Sequence, residues 1–121
     1  MPKKTAVIGA SSNPERYSFI ATRMLTEYDH EVVPLGIKAG KIDNHDIITD
    51  WPAEIDDLDT VTMYVGPKRQ PDLYDTVLNL KPKRIIFNPG TENAEFEAMA
   101  QAKGIETEEA CTLVLLRTGQ Y

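Results

Sequence analysis

The chain has 121 residues and a mass of 13.6 kDa, enough for one hydrophobic core and not for two. Hydrophobic residues make up 41% and charged residues 26%, which excludes a disordered chain, and no apolar run approaches the roughly 18–20 residues that cross a bilayer. Thirteen Lys and Arg against 19 Asp and Glu leave a net charge of −6, the wrong sign for a general nucleic-acid binder, and a lone Cys111 excludes an intrachain disulfide framework or a multi-cysteine zinc site.

Thr5–Gly9 is a short apolar run ending in glycine, the pattern of a strand buried on both faces. No signal-peptide apolar region precedes it, so a cytoplasmic location is expected. Ser11–Glu15 carries turn chemistry, and Ser18 is the expected N-cap of a helix over Phe19–Tyr28. In that helix Phe19, Ile20, Met24, Leu25 and Tyr28 share one face at helical spacing. Glu31–Leu35 is the second strand, with Pro34 expected to mark its end because it has no N–H to donate. Residues 36–52 read as an extended loop with a short strand near Ile47-Ile48, and Ala53–Leu58 as a brief helical turn.

From Ile42 to Pro67 there is no Lys or Arg. Asp43, Asp46, Asp50, Glu54, Asp56, Asp57 and Asp59 fall there and read as a solvated face, without the spacing of a calcium loop. Thr60–Val65 is a strand stopped by Gly66-Pro67. Pro71 suits the first turn of a helix reaching Leu80, with Leu73, Val77, Leu78 and Leu80 inward. Arg84–Asn88 is the next strand, stopped by Pro89-Gly90. Thr91 or Asn93 caps a helix through Lys103 that Gly104 closes, Ile105–Glu109 is a last strand, and Cys111–Leu116 a closing helix. The alternation predicts that residues 1–121 form a single three-layer, Rossmann-like α/β domain with a mainly parallel, doubly wound sheet of about five strands.

In such a sheet a ligand binds outside the carboxyl ends of the strands, near the point where strand order reverses. Four strand ends carry loops of small residues that let backbone N–H groups approach a phosphate: Gly9-Ala-Ser-Ser-Asn-Pro14, Pro34-Leu-Gly36, Val65-Gly-Pro67 and Asn88-Pro-Gly90. The first loop lacks the G-x-G-x-x-G dinucleotide fingerprint, and the second strand ends without the acid that an NAD ribose needs. Lys38 and Lys41 follow that strand instead and suit a phosphorylated ribose. With Arg16, Lys68 and Arg69 they put five of the chain's basic residues on one predicted edge.

The run Val7-Ile-Gly-Ala-Ser-Ser-Asn-Pro-Glu-Arg-Tyr-Ser18, followed in order by Val32-Val-Pro34, Tyr64-Val-Gly-Pro67 and Pro89-Gly-Thr-Glu-Asn93, resembles the small stand-alone CoA-binding proteins. These are related to the nucleotide domain of the succinyl-CoA synthetase α subunit. The resemblance implies a coenzyme A or acyl-CoA ligand, bound without catalysis. It places Gly9, Ala10, Ser11, Asn13, Arg16 and Ser18 on the pyrophosphate, Val33 and Pro34 on the adenosine, and Lys38 or Lys41 near the 3′-phosphate. Tyr64, Val65, Gly66 and Pro67 would form the opposite wall, and Gly90 would approach the pantetheine arm.

Strand alternation leaves open whether Tyr64 faces the cleft or the core. A β-branched residue at Gly9 is expected to block the phosphate while leaving the sheet folded. No nucleophile elbow surrounds Ser11 and Ser12, and neither His30 nor His45 has a catalytic partner in sequence, so no catalytic or metal residue is assigned. Cys111 reads as a small buried hydrophobe, with a mixed disulfide to the CoA thiol as its other role. The alternatives are an NADP-dependent oxidoreductase and a structural interaction domain with a vestigial cleft. The apolar Leu113–Leu116 segment leaves a homo-oligomer open.

Overall fold

The strands that the apolar runs predict do form, and they form one sheet. A computed structural model describes residues 2–121. Strands β1 (Thr5–Ile8), β2 (Val32–Leu35), β5 (Thr60–Met63), β6 (Arg84–Phe87) and β7 (Glu106–Glu109) pair in the order β2-β1-β5-β6-β7, every pair parallel. A separate antiparallel hairpin joins β3 (Lys41–Ile42) to β4 (His45–Asp46). Strand order reverses between β1 and β5, so the loops after these two strands diverge and leave a crevice at their carboxyl ends.

Alternation along the strands sorts the two faces. Ala6, Ile8, Val61, Met63, Ile85 and Phe87 point one way and pack with Val77 and Leu78 of α2 (Tyr74–Asn79) and Phe96 and Ala100 of α3 (Ala94–Ala102). Val7 points the other way, against Phe19 and Leu25 of α1 (Tyr17–Glu27) and Leu116 of α4 (Thr112–Arg117). Helices on both faces make three layers, the Rossmann-like architecture expected. None of the helices is long and apolar enough to cross a membrane among the described residues.

Several local expectations give way to tertiary structure. Helix α1 begins at Tyr17 with Arg16 as its N-cap residue, and Ser18 lies buried inside the first turn rather than capping it. Its backbone C=O instead accepts a 2.8 Å bond from the Thr22 hydroxyl. Tyr28 follows the helix and is exposed. Pro34 does not end β2 but sits within it, paired with Val7 on an edge strand. The Leu35 carbonyl faces β1, whereas the Pro34 carbonyl faces outward and accepts from Ile48 N at 2.9 Å. Its missing N–H therefore falls on the outer edge, where the β1–β2 ladder does not need it.

Ala53–Leu58 is irregular rather than helical. Asp57 turns there at φ 58°, in the left-handed region, and Leu58 is anchored in the core. Only the second half of the helix expected over 71–80 is α-helical. Two 3-10 turns, Pro67–Arg69 and Pro71–Leu73, precede α2. The long segment after β2 holds the β3–β4 hairpin, fastened to α1 by Arg23, whose Nε and Nη2 reach the two Asp43 oxygens at 3.0 and 2.8 Å. The acidic residues of this segment are exposed, apart from a half-buried Asp59.

At the amino edge of the sheet His30 Nδ1 accepts from the Lys3 backbone N–H at 2.9 Å. Burial, then the neighbouring Lys3 charge, hold the His30 pKa below its ordinary 6.5. Protonating Nδ1 would replace an acceptor by a donor facing a donor. A pKa lowered by folding contributes stability that is present above 6.5 and lost as pH falls through the lowered value. Thermal unfolding midpoints recorded between pH 7.5 and 5 should therefore fall more steeply in the natural protein than in His30→Asn, whose amide oxygen can still accept from Lys3; parallel profiles would remove this role (pH range set by roughly the histidine titration).

Candidate functional site

A cleft of about 750 Å³ opens at the carboxyl edge, where β1 and β5 diverge. The β1–α1 loop forms its floor. Gly9, at φ 95°, lets the chain turn so that the N–H groups of Gly9 and Ala10 both reach the Leu35 carbonyl, at 2.9 and 3.0 Å. A Cβ on Gly9 would meet Val65 Cγ2 at 3.0 Å and the Tyr64 carbonyl at 3.2 Å. Any side chain there strains the fold, so substitution at Gly9 does not leave the sheet untouched as the sequence suggested. The loop is shaped by Asn13, whose Oδ1 accepts from Glu15 N at 3.0 Å and whose own N–H donates to Ser11 Oγ at 3.1 Å. No side chain caps the first turn of α1, and that turn faces the cleft through Arg16, Tyr17 and Ser18. Helix N–H groups and the positive end of the helix dipole thus lie open to an anion.

Ten of the residues singled out in the sequence line this one cleft: Gly9, Ala10, Ser11, Arg16, Ser18, Lys38, Tyr64, Val65, Gly66 and Gly90. Asn13, Val33, Pro34 and Pro67 do not. Asn13 is spent on its turn, Val33 packs against the core, Pro34 is buried in β2, and Pro67 opens an exposed 3-10 turn. Of the five basic residues on this edge, Arg16, Lys38 and Arg69 reach the cleft. Lys41 is turned to Asp46 on the hairpin at 3.2 Å, and Lys68 lies outside the lining. Among the described residues Arg16, Lys38 and Arg69 enter no ion pair, which they share with most of the chain's basic residues; what sets them apart is that they meet around one cleft.

Tyr64 answers both readings of its orientation. The residue lines the cleft, but its hydroxyl is buried beside Thr62 and Thr112 with no hydrogen-bond partner among the described residues. Burial raises its pKa well above the ordinary phenol value. Such a hydroxyl stays protonated, and the ring is a wall rather than a base. Cys111, half-buried, stands at the N-cap of α4 and outside the lining.

Some residues that build the site carry no motif. Trp51 lines the cleft and pins the loop after β2 by donating from Nε1 to the Gly36 carbonyl at 2.9 Å. Ile37, 78% exposed, flanks it at the mouth. Asn88 ends β6 with its carboxamide fully used: Nδ2 donates to Thr62 Oγ1 and the Met63 carbonyl at 2.7 and 2.8 Å, and Oδ1 accepts from Thr112 N at 2.9 Å. It ties β5, β6 and α4 together behind the cleft. An Asn before Pro-Gly is the only sequence signal for it, and that reads equally as turn chemistry.

Glycines at the site have different causes. A Cβ on Gly36 would come within 2.6 Å of the Ala10 carbonyl oxygen, so this glycine is required for the β2 loop to lie against the β1 loop. Gly66 has an ordinary backbone, φ −64° and ψ 157°, and a Cβ there would meet nothing within 4 Å. Nothing in the fold requires glycine at 66, and the residue lines the cleft.

The profile of a family described as "CoA binding domain" matches residues 3–117. A comparison with curated proteins gives no match. Among solved structures, an uncharacterized protein is 43% identical, with a TM-score of 0.96 over 100% of this chain and 99% of that one. A Thermus thermophilus protein shares the fold at 22% identity and a TM-score of 0.82, over 99% of this chain and 91% of its own. A hypothetical protein from Pyrococcus horikoshii is 25% identical, with a TM-score of 0.79 over 96% of this chain and 83% of its own.

The two glycines separate by experiment. Gly36→Ala should destabilise the fold by about 1–3 kcal/mol through overpacking. Gly66→Ala should be neutral or stabilising by about 0.4–1 kcal/mol, since it only restricts the unfolded chain. Denaturant unfolding of both variants checks the contrast, and equal losses would refute it.

Proposed function

Because the chain belongs to the CoA binding domain family, we propose that this cleft binds coenzyme A or an acyl-CoA and that the protein is a binding module rather than an enzyme. The observation that carries the reading is the arrangement of Arg16, Lys38 and Arg69 around one cleft, free of ion pairs among the described residues, in a chain of net charge −6. Unpaired cations collected where a helix N-terminus and small-residue loops also meet suit a ligand with several phosphates.

In this reading the small residues of the Gly9-Ala10-Ser11 loop leave room for the pyrophosphate, and the open first turn of α1 takes it, with Arg16 supplying a charge-assisted hydrogen bond. Ser18 belongs to that first turn through its backbone. Lys38 takes the 3′-phosphate. Tyr64, Val65 and Gly66 form the wall along the adenosine, facing Ile37 and Trp51, and Gly90 leaves room for the pantetheine arm. Asn13, Val33, Pro34 and Pro67 serve indirectly, by holding the loops whose neighbours touch the ligand.

The cleft offers little to a reaction. Its lining contains no histidine or cysteine, its one carboxylate, Asp72, is exposed, and the Tyr64 hydroxyl is buried and held protonated. Without a base positioned against a nucleophile or proton donor, binding is the function these groups support.

Isothermal titration with CoA, dephospho-CoA and NADPH tests the reading. CoA should bind saturably, dephospho-CoA more weakly, and NADPH weakest. Arg16→Ala should cost CoA about 1.5–3 kcal/mol of affinity, the worth of a hydrogen bond between charged groups. Gly66→Ala should weaken CoA while leaving the fold intact. No saturable CoA binding at millimolar ligand would overturn the proposal, and tighter NADPH binding would favour the oxidoreductase alternative.

A further inference from the structure

Between the loops after β5 and β6 lies a side chain with no access to the ligand and no role in the sequence reading. Gln70 is fully buried, 0% exposed, and follows the first 3-10 turn. Its Nε2 donates to the Val65 carbonyl and to the Thr91 carbonyl, each at 2.8 Å. Its Oε1 accepts from Asn93 Nδ2 at 2.9 Å. The orientation of the amide is dictated by its partners, because both carbonyls can only accept. Asn93 is fixed in turn, since its Oδ1 accepts from Phe96 N at 3.1 Å as the cap of α3 and so leaves Nδ2 to donate.

Val65 and Thr91 both line the cleft, on loops that leave neighbouring strands. One rigid carboxamide therefore spans from one cleft wall to the other, and its third bond is anchored to a helix cap. We propose that Gln70 is a positioning residue, a clamp that fixes the separation of the Val65–Gly66 wall and the Gly90–Thr91 wall so that a single ligand can touch both. This rests on the CoA reading, in which the first wall meets the adenosine and the second the pantetheine arm. A fixed separation matters only to a ligand that bridges the two, because the second contact is then made at high effective concentration. A ligand that reaches one wall does not sense the clamp.

The fragment comparison follows from that distinction. In Gln70→Met, of similar length but with neither donor nor acceptor, CoA should lose about tenfold in affinity, while adenosine 3′,5′-bisphosphate, which ends before the arm, should change by less than about twofold. A merely structural role would weaken both together, and equal losses, or no loss of CoA, would overturn the clamp.

Amide hydrogen exchange gives a ligand-free readout. Arg69 N–H donates to the Gly66 carbonyl at 3.0 Å and Thr91 N–H to the Asn88 carbonyl at 2.9 Å, one amide on each loop. In the natural protein the two should open with similar free energies, and in Gln70→Met both should lose more than about tenfold in protection while α1 keeps its own. Independent behaviour of the two loops in the natural protein would overturn the clamp even if the variant fails to fold. Failure of the natural protein to bind CoA, with the loops still coupled in exchange, would instead refute the proposed ligand and leave the clamp standing.

Discussion

Parallel strands deliver their connecting loops to a common edge, and at that edge the backbone must leave the ladder that satisfied it. Each departing carbonyl then needs a new donor or open water, since a buried polar group left unpaired costs roughly 1–3 kcal/mol. Two carboxamides meet that need here. Asn88 supplies donors to Thr62 and Met63 and an acceptor to Thr112. Gln70 supplies donors to Val65 and Thr91 and an acceptor to Asn93. Amides suit the position because one terminus both donates twice and accepts, so a single side chain can make three bonds and tie separate chain segments together. The crevice stays open as a consequence: its walls are held from behind, by groups that do not occupy it.

How much of this was legible depends on the range of the interaction involved. Strands such as Thr60–Met63 and Arg84–Phe87 are apolar or β-branched runs followed by Gly or Pro, a signal contained within a few residues; they start where the sequence places them and end short of the expected Val65 and Asn88. The helix starts at Tyr17, ahead of the start that Ser18, a good cap in isolation, suggests. Burying it against the sheet, with Thr22 on its carbonyl, outweighs the cap it would have made. Pro34 signals a stop because propensity knows nothing of edges, and only the strand order shows that its missing donor faces outward.

The cleft was legible to a similar depth. Glycines, serines and cations at strand ends are local features. The family resemblance gives Val33 and Pro34 to the cleft, but strand geometry turns them away and gives the place beyond them to Ile37, Lys38 and Trp51. Trp51 lies fifteen residues beyond the Gly36 carbonyl it holds, and Gln70 bonds across twenty-one residues to Thr91. No periodicity encodes such pairs. They become visible when the chain is folded, which is why these side chains, unlike the glycines, left no mark.

The charge pattern bears on what kind of binding such a cleft can achieve. Arg16, Lys38 and Arg69 are exposed, so each is surrounded by water and by counterions that screen it within about 10 Å at 0.1 M salt. Three solvated cations draw an anion toward the mouth and speed its encounter more than they hold it. Retention has to come from groups whose cost of ordering is already met by folding: the uncapped first turn of α1, and walls set by Gln70 and Trp51. The acidic segment from Asp43 to Asp59 strengthens that division of labour. Its exposed carboxylates repel phosphates along that loop, so the cleft is the favourable place beside it for one to settle without any single cation there having to be strong.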